Sequence, residues 1–515
     1  MLNRRFFIRN SLLAGMGILV SSFKKLTFFG KKAYPYNILL GRPTTNSILL
    51  SLLPESDMEL HLSYGPDKNN LSKLTGITKP APNIPFEITL SNLEPNQQYY
   101  YRVYHKAPGE KDFTAGTLSR FRTRRKKGDP FVFTITADSH LGTQKHCDPA
   151  LYQLTLDNVA ADEPDLHFSL GDDFRASKVN EPDYQKIEQL YINQREHLGA
   201  LCHSVPFFFI LGNHEMEAKA FDDGSDNCLA AWSTKARKKY IPNPLPGDFY
   251  SGNTSAGPNE ALRQNYYAFE WGDVLFVTMD VFWYSNISAA DEEMREHNKQ
   301  SMEGLSKEQK IKQREERQKA KEDGRQNKNP GDKQQRKDQW NFTIGDAQYQ
   351  WLKQTLEKSR ARYKFVFGHH VLGSCRGGIE WASTFEWGGK NRRGIDEFAA
   401  NRPNWETPLH QLFVKHGVTA FIQGHDHLFV RQELDGVAYI TCPMSGDPSY
   451  NAYNSEHYSS GDKLSNTGHL KMSVSSDDVQ LQYIKAVLPQ DEAAQGKNGK
   501  IAYAWSFVNK KQLPV

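Results

Sequence analysis

Five short apolar segments of this chain each end in residues that could bind a metal ion or transfer a proton. The clearest is the segment 206–211, after which Gly212 is followed by Asn213, His214 and Glu215. The other four segments run into the sequences Ala-Asp-Ser-His (137–140), Gly-Asp-Asp (171–173), Gly-His-His (368–370) and Gly-His-Asp-His (424–427). An apolar run of this length between turn residues is typical of a buried strand. In open α/β sheets ligands bind beyond the carboxyl ends of the strands, so we predict that the five ends meet at one site.

The polar groups at these strand ends are carboxylate, amide and imidazole donors without a thiolate. They are Asp138, His140, Asp172, Asn213, His369, His425 and His427. Such a set suits divalent Zn, Mn or Fe and is poor for Cu(I). Seven donors are too many for one tetrahedral ion but suit two ions that share a carboxylate. We therefore predict a centre of two divalent metal ions.

Taken in order, the five motifs resemble the signature of the calcineurin-like metallophosphoesterases. Each piece alone is weakly specific, whereas five of them in sequence are strongly so, and the resemblance covers about residues 31–488 outside one charged insertion. Together with the β-rich segment before the first motif, the chain is similar to the purple acid phosphatase-like members. The resemblance implies an α/β fold, a metallophosphoesterase β-sandwich flanked by helices and preceded by a small all-β sandwich.

The resemblance also implies a role for each motif residue. One metal ion would be held by Asp138, His140 and His427, the second by Asn213, His369 and His425, and Asp172 would bridge them. A hydroxide shared by the two ions would attack phosphorus. His214 would protonate the leaving oxygen, or alternatively would only orient a ligand through a hydrogen bond. The candidate substrate contacts are Asn213, His370, Arg175 and Arg376.

Two residues depart from the pattern of the purple enzymes. Those enzymes carry a tyrosine, as the ligand of ferric iron, at the place where this chain has Arg175, and they usually lack a histidine at position 140. The metal site thus resembles the broader family more than the purple branch, which favours two divalent ions. Arg175 would either contact phosphate or pair with Asp173, and pairing is the preferred reading.

The chain is long enough, at 515 residues, for more than one domain. Residues 1–30 begin with Arg4 and Arg5 before an apolar run and resemble a twin-arginine export signal, with an ordinary secretory signal as the alternative. No A-x-A cleavage site is present, so an uncleaved membrane anchor stays open. Residues 31–127 read as a fibronectin type III-like domain in which Tyr99 caps a corner. Residues 128–488 form the metallophosphoesterase domain, and residues 489–515 are left as a C-terminal tail.

Charge and cysteine content exclude several other classes. The net charge is +4, and the segment 301–337 alone holds 12 Lys and Arg against 7 Asp and Glu. This segment belongs to an insertion at about 290–338 that has few apolar residues to bury. The rest of the chain is near neutral, so no nucleic-acid-binding surface is expected. Five scattered cysteines, without CxxC spacing, exclude a cysteine-type structural zinc motif. The odd count leaves at least one free thiol or a cysteine paired with another molecule, and the sequence assigns no disulfide.

These observations predict an exported, periplasmic or extracellular, phosphoesterase that hydrolyses phosphate monoesters of small molecules. A phosphodiesterase or nucleotide hydrolase on the same site is the first alternative. From another class, the chain would be a non-catalytic, metal-stabilised surface protein that binds a partner. Neither the substrate nor the oligomeric state follows from the sequence.

Overall fold

The computed structural model describes residues 34–143, 145–176, 183–255, 262–285, 339–371 and 376–508. The expected export signal and the charged insertion lie outside these ranges. Within them, no helix combines the length and apolar character needed to cross a membrane.

The first part of the described chain is entirely β. Its strands are β1 Tyr36–Gly41, β2 Ile48–Pro54, β3 Glu59–Gly65, β4 Lys73–Leu74, β5 Phe86–Leu90, β6 Gln98–Lys106, β7 Thr114–Ala115 and β8 Ser119–Arg122. They form one antiparallel sheet in the order β1-β2-β5 and a second in the order β4-β3-β6-β7, with β8 also paired to β6. Alternate residues of β6 are buried, as expected for a strand with one face on a core. The Tyr99 hydroxyl accepts a hydrogen bond from the Glu94 backbone N–H at 2.9 Å, which is the corner contact that the sequence predicts.

The rest of the chain contains two larger sheets. Their strands are β9 Phe131–Thr136, β10 Leu166–Ser169, β11 Phe207–Phe209, β12 Ser251–Gly252, β13 Tyr267–Trp271, β14 Val274–Thr278, β15 Tyr363–Phe367, β16 Ala420–Gln423, β17 Phe429–Leu434, β18 Val437–Thr441, β19 Asp462–Leu464, β20 Gly468–Val474, β21 Asp478–Lys485 and β22 Ile501–Val508. One sheet has the order β11-β10-β9-β20-β21-β22, and the other β12-β13-β14-β15-β16-β18-β17-β19. Phenylalanines fill the space between the sheets, as where Phe168 of one sheet stacks on Phe367 of the other with ring centroids 4.8 Å apart.

Helices connect these strands and add a second apolar layer. They are α1 Pro149–Ala161, α2 Tyr184–Cys202, α3 Leu229–Tyr240, α4 Gly345–Lys358, α5 Phe385–Gly388, α6 Phe398–Asn401, α7 Leu409–Lys415 and α8 Glu492–Gln495. Asp148 caps α1 by accepting hydrogen bonds from two backbone amides of its first turn, and Pro149 begins the helix. Gln348, Tyr349, Leu352 and Leu356 are the buried residues of α4. The α/β architecture predicted from the motifs is thus confirmed.

The five motif strands are divided between the two sheets. Strands β9, β10 and β11 pair in parallel in one sheet, and β15 and β16 pair in parallel in the other. Hydrogen bonds between side chains and backbone join the ends of the two sets, because His369 Nδ1 lies 2.7 Å from the Leu170 carbonyl oxygen. The His425 backbone N–H donates to Asp138 Oδ2 at 2.9 Å. The motif residues therefore meet where the two sheets approach each other at their carboxyl edges.

The structure adds detail to two parts of the sequence prediction. Residues 489–515, left as a tail, include α8 and the edge strand β22, which pairs with β21. The described cysteines, Cys147, Cys202, Cys228 and Cys442, are free and buried.

The all-β part is tied to the α/β part by buried polar contacts. Arg195 of α2 is fully buried, and its guanidinium donates to the Ser51 backbone oxygen at 2.7 Å and to the Tyr240 backbone oxygen at 2.6 Å. The connecting segment adds a bidentate pair, since Arg125 donates to both carboxylate oxygens of Asp165 at 2.5 and 3.0 Å. The segment between the two parts therefore joins them through specific contacts.

Candidate metal centre

Five of the seven predicted ligands have left-handed backbone conformations. The φ angles are 51° at Asp138, 45° at His140, 54° at Asp172, 68° at His425 and 59° at His427. Non-glycine residues adopt this region seldom, Asn, Asp and His more readily than the others, and residues held there concentrate at functional sites. The turns after β9, β10 and β16 use this conformation to direct consecutive polar side chains to one point.

Two glycines of the motifs allow the loops to approach closely. A Cβ on Gly212 would collide with the backbone nitrogen and Oδ1 of Asp172, and Gly171 has φ +87° with the Gly212 backbone against it. Only glycine fits both positions without displacing Asp172. The Gly-Asp and Gly-Asn-His-Glu motifs are therefore packed directly against each other.

The predicted ligands form connected groups. In the first group Asp138 Oδ1 lies 3.4 Å from His427 Nε2 and 3.8 Å from His140 Nε2. In the second, Asp172 Oδ2 lies 3.3 Å from His369 Nε2, and His425 belongs to the same cluster. A third group of His140, Asp172 and His214 lies between them, and the ligand atoms of each group fall within 4.8 Å of one another. Asp172 thus belongs to two groups.

Asn213 completes the second group. Its Oδ1 lies 3.1 Å from His369 Nε2 and 3.1 Å from His425 Nδ1. All seven predicted ligands therefore lie in one cluster, and each of them is buried.

The arrangement fits bound cations. Nε2 of His140 and Nε2 of His427 are only 3.0 Å apart, and a neutral imidazole can present a lone pair from either of them. Asp138 Oδ1 is buried without a hydrogen bond from the described residues. Although burial favours neutral His369, the carboxylates of Asp172 and Asp138 raise its pKa to about 10. The cluster therefore attracts positive charge, which a metal ion supplies as well as a proton does.

His214 and Glu215 occupy different places beside the cluster. His214 Nε2 lies 3.8 Å from Asp172 Oδ2, and the His214 backbone N–H donates to Asp172 Oδ1 at 2.8 Å. Glu215 accepts backbone N–H bonds from Gly212, Asp172 and Asp173 at 2.7 to 3.0 Å. Burial, together with the charges of Asp172 and Asp173, raises the pKa of Glu215 well above its usual value. Glu215 thus holds loops together, whereas the His214 side chain adjoins the ligands.

The candidate substrate contacts fall into different environments. Arg175 does not pair with Asp173, the reading preferred from the sequence. Its Nε lies 3.3 Å from His140 Nδ1, while the Asp173 carboxylate accepts from Ser169 Oγ at 2.7 Å and is fully buried. Burial raises the pKa of the Asp173 carboxyl to about 7. Burial therefore favours the neutral acid, which needs no cationic partner.

His370 and Arg376 are both held by protein groups. His370 is buried, its Nδ1 lies 2.6 Å from the Val371 carbonyl, and burial next to His369 lowers its pKa to about 3. Arg376 donates to the His425 carbonyl at 2.9 Å and lies 3.3 Å from Asp426 Oδ1. Arg376 therefore contacts the backbone of a residue of the second group, and His370 is enclosed in protein.

Several residues near the cluster were not found from the sequence. His146 and Tyr453 lie beside His427, with ring centroids 5.8 and 6.2 Å from its ring. Asn466 donates to the His427 carbonyl at 2.9 Å and to Asp447 at 3.0 Å. None of these belongs to a strand-end motif, and their signal in the sequence is only a polar or aromatic residue in a loop.

The fold and the clustered donors define a site of the metal-dependent phosphoesterase type. The model of the calcineurin-like phosphoesterase family matches residues 131–429, which is more than half of the chain. The chain belongs to this family, whose members depend on metal ions. No curated protein matches the sequence.

Solved structures share the fold at low sequence identity. The structure of PhoD has 13% identity and a TM-score of 0.61, covering 93% of this chain and 92% of that one. The purple acid phosphatase PPD1 from yellow lupin seeds has 14% identity and a TM-score of 0.56, covering 92% of this chain and 74% of that one. Both likenesses include the all-β part as well as the α/β part, since they extend over nearly the whole chain.

Proposed function

We propose that this protein is a dinuclear metal-dependent hydrolase of phosphate monoesters in which His214 is the general acid. The observation that carries the proposal is the position of Asp172, whose carboxylate belongs both to the group with His369 and His425 and to the group with His140 and His214. A carboxylate shared in this way is what a bridge between two cations requires, and His214 lies beside it.

The seven clustered side chains would hold the ions as the family pattern implies. Asp138, His140 and His427 would bind one ion, Asn213, His369 and His425 the other, and Asp172 both. When bound, two divalent ions polarise the phosphoryl oxygens and lower the pKa of an attacking water. The ligands themselves are fixed before binding by their backbone turns and by hydrogen bonds such as His425 N–H to Asp138 Oδ2.

His214 would deliver a proton to the leaving oxygen from Nε2. Its backbone is anchored to Asp172 at 2.8 Å, and its side chain is buried beside the ligands. An imidazole held next to the reacting phosphate can donate a proton to a leaving oxygen. His214 also lies within reach of ligand atoms, so metal binding by its Nε2 is the competing role.

Arg175 would bind a phosphoryl oxygen. A neutral imidazole that binds a metal through Nε2 carries its proton on Nδ1 and then accepts no hydrogen bond there. Loading the His140 site would therefore free the Arg175 guanidinium, whose Nε faces that nitrogen at 3.3 Å. Arg376 would instead position the His425 loop, since its guanidinium contacts Asp426 and the His425 carbonyl.

The remaining parts of the proposal concern domains and location. Residues 31–127 would form a fibronectin type III-like domain and residues 128–488 the catalytic domain, whose sheet is extended by β22 from the segment that follows. The Arg4–Arg5 start supports export to the periplasm or the exterior, with anchoring to the membrane where the signal is not cleaved. Hydrolysis of diesters or nucleotides on the same site is the alternative activity.

The test is turnover by the purified full chain. A generic aryl monoester and its diester analogue are assayed after chelation and after return of Zn, Mn or Fe(II). We expect monoester hydrolysis that chelator abolishes and a divalent ion restores. Faster turnover of the diester would select the alternative activity. Absence of metal-dependent turnover on every ester, in a protein that binds two ions, would support the non-catalytic surface protein.

A further inference from the structure

Two half-buried rings stand next to the cluster without being part of it. His146 precedes α1, and Tyr453 lies in the segment after β18. Their ring centroids are 5.9 Å apart at an interplanar angle of 68°, so the two rings form a corner. Each also contacts the ring of His427, at 5.8 Å for His146 and 6.2 Å for Tyr453.

The corner lies on a more open side of the cluster. His427 is the most exposed of the seven predicted ligands, at 6%, whereas Asp138, His140 and His369 are fully buried. His146 and Tyr453 are more exposed than any of these ligands. A molecule that reached His427 from solvent would therefore pass along the two rings.

Hydrogen bonds hold the Tyr453 ring in place from its far end. Ser449 Oγ donates to Asp447 Oδ2 at 2.8 Å and is itself the acceptor for the Tyr453 hydroxyl at 2.9 Å. Asp447 in turn accepts from Asn466, which binds the His427 carbonyl. One network thus fixes both the Tyr453 ring and a predicted metal ligand, leaving the ring surface for contact.

We infer that His146 and Tyr453 form an aromatic wall that binds the organic part of the substrate, and that esters with a planar ring near the phosphate are preferred. The inference rests on the proposed function, because it places the phosphate on the metal centre. A planar ring that lies flat against one wall residue meets the other edge-on, and aromatic pairs favour both arrangements over contact with a puckered aliphatic ring.

A matched pair of ligands isolates planarity from leaving-group chemistry. Benzylphosphonate and cyclohexylmethylphosphonate have the same carbon skeleton, and the corresponding phosphates both release a primary alcohol. We measure the ratio of the two inhibition constants, and the ratio of kcat/KM for the two phosphates, in the wild type, Tyr453→Leu and His146→Leu. Tyr453→Phe keeps the ring without the hydroxyl. Tyr104→Leu removes a tyrosine that stacks on His61 in the all-β part, at 5.1 Å, and is the remote control.

The wild type should prefer the benzyl compounds, and each Leu variant should reduce that preference by about two- to tenfold, the factor expected for one aromatic pair. Tyr104→Leu should keep the preference, Tyr453→Phe should reduce it less than Tyr453→Leu because the ring remains, and metal content should stay at the wild-type level. The inference is overturned when the wild type shows no preference, or when the Leu variants change both ligands equally, as loss of packing against His427 would. Calorimetry measures binding of the phosphonates to the aromatic wall even in a protein that hydrolyses neither ester. Failure of the proposed function can therefore be distinguished from failure of this inference.

Discussion

The carboxylate of Glu215 binds the backbone of Asp172. Oε2 of Glu215 accepts the Asp172 N–H at 3.0 Å and the Gly212 N–H at 2.7 Å, and Oε1 accepts the Asp173 N–H at 3.0 Å. A buried carboxylate that accepts several backbone amides joins two loops without contributing a ligand atom itself. The position of the Asp172 side chain between the two metal groups therefore depends on a residue of another motif.

Asp172→Asn should reduce metal content at both sites, because the amide removes the negative charge that the two groups share. Asp173→Asn is the matched control, since the Asp173 carboxyl is buried in the same loop but accepts from Ser169. The measurement is metal analysis of the purified variants after dialysis against a weak chelator. A full pair of ions bound at normal affinity in Asp172→Asn would show that Asp172 is not the bridge.

His214→Ala should separate substrates by their leaving group. Loss of a general acid typically lowers the rate by about 10²- to 10⁴-fold when the leaving alkoxide is basic. An aryl phosphate with a good leaving group needs little protonation and should be affected less. The comparison is kcat for an alkyl and a nitrophenyl phosphate at equal metal content. An equal loss on both substrates would assign His214 to phosphate positioning, and loss of one ion would assign it to metal binding.

The metal centre should be divalent and colourless. Asp138 and Asp172 supply the two negative ligand charges, and no tyrosine stands at position 175 to compensate a ferric ion. Metal analysis and a visible spectrum of protein purified in air are the measurements. A purple sample with stoichiometric ferric iron would contradict this expectation. Tyr453, whose ring lies beside His427, would then be the tyrosine to test by Tyr453→Phe.

Arg195→Met should destabilise the whole chain by about 2–6 kcal/mol, because the buried carbonyls of Ser51 and Tyr240 would lose a donor and each costs about 1–3 kcal/mol. Burial lowers the pKa of Arg195 to about 9, so the guanidinium stays charged at neutral pH. The control is Arg120→Met, which removes an exposed pair with Glu163 at 3.4 Å and should change stability by at most about 1 kcal/mol. Denaturant unfolding measures both. Equal stability of the two variants would show that the buried contacts are dispensable.

His167 should make the fold sensitive to mild acid. It is fully buried on β10, with Nδ1 2.9 Å from Thr134 Oγ1 and Nε2 3.2 Å from Thr136 Oγ1. Burial, with a smaller effect of His469, lowers its pKa to about 3, against about 6.5 in the unfolded chain. As the pH falls, the unfolded state therefore takes up the proton before the folded state does. The contribution of neutral His167 to the free energy of unfolding is complete above about pH 6.5 and is lost as the pH falls toward 3.

At pH 5 this loss is on the order of 2 kcal/mol relative to pH 7. In His167→Gln the free energy of unfolding should fall less between these pH values than in the wild type. His457→Gln, on the surface, is the control and should follow the wild type. Identical slopes for the wild type and His167→Gln would exclude His167 as the sensitive group.

The motif strands were predictable from the sequence because each is a short apolar run followed by polar residues. Strands β9, β15 and β16 end at Thr136, Phe367 and Gln423, directly before the motifs that begin at positions 137, 368 and 424. The clustering of the seven side chains also follows from their common place at strand ends, although their roles as ligands stay predictions. The predicted pairing of Arg175 with Asp173 was wrong. Asp173 is buried and accepts a hydrogen bond from Ser169, and the sequence does not reveal that burial. Tyr453 was missed because a loop residue carries no periodic signal of its position.

The left-handed turns limit how this centre can change through evolution or design. Asp138, His140, Asp172, His425 and His427 each occupy a conformation that Asn, Asp and His tolerate and that β-branched residues strongly disfavour. Exchanging a ligand for another coordinating side chain therefore requires more than matching donor chemistry. Substitutions among Asp, Asn and His preserve the turn and vary only the charge and the donor type. The variants most easily reached from this sequence are therefore centres of altered charge on an unchanged backbone.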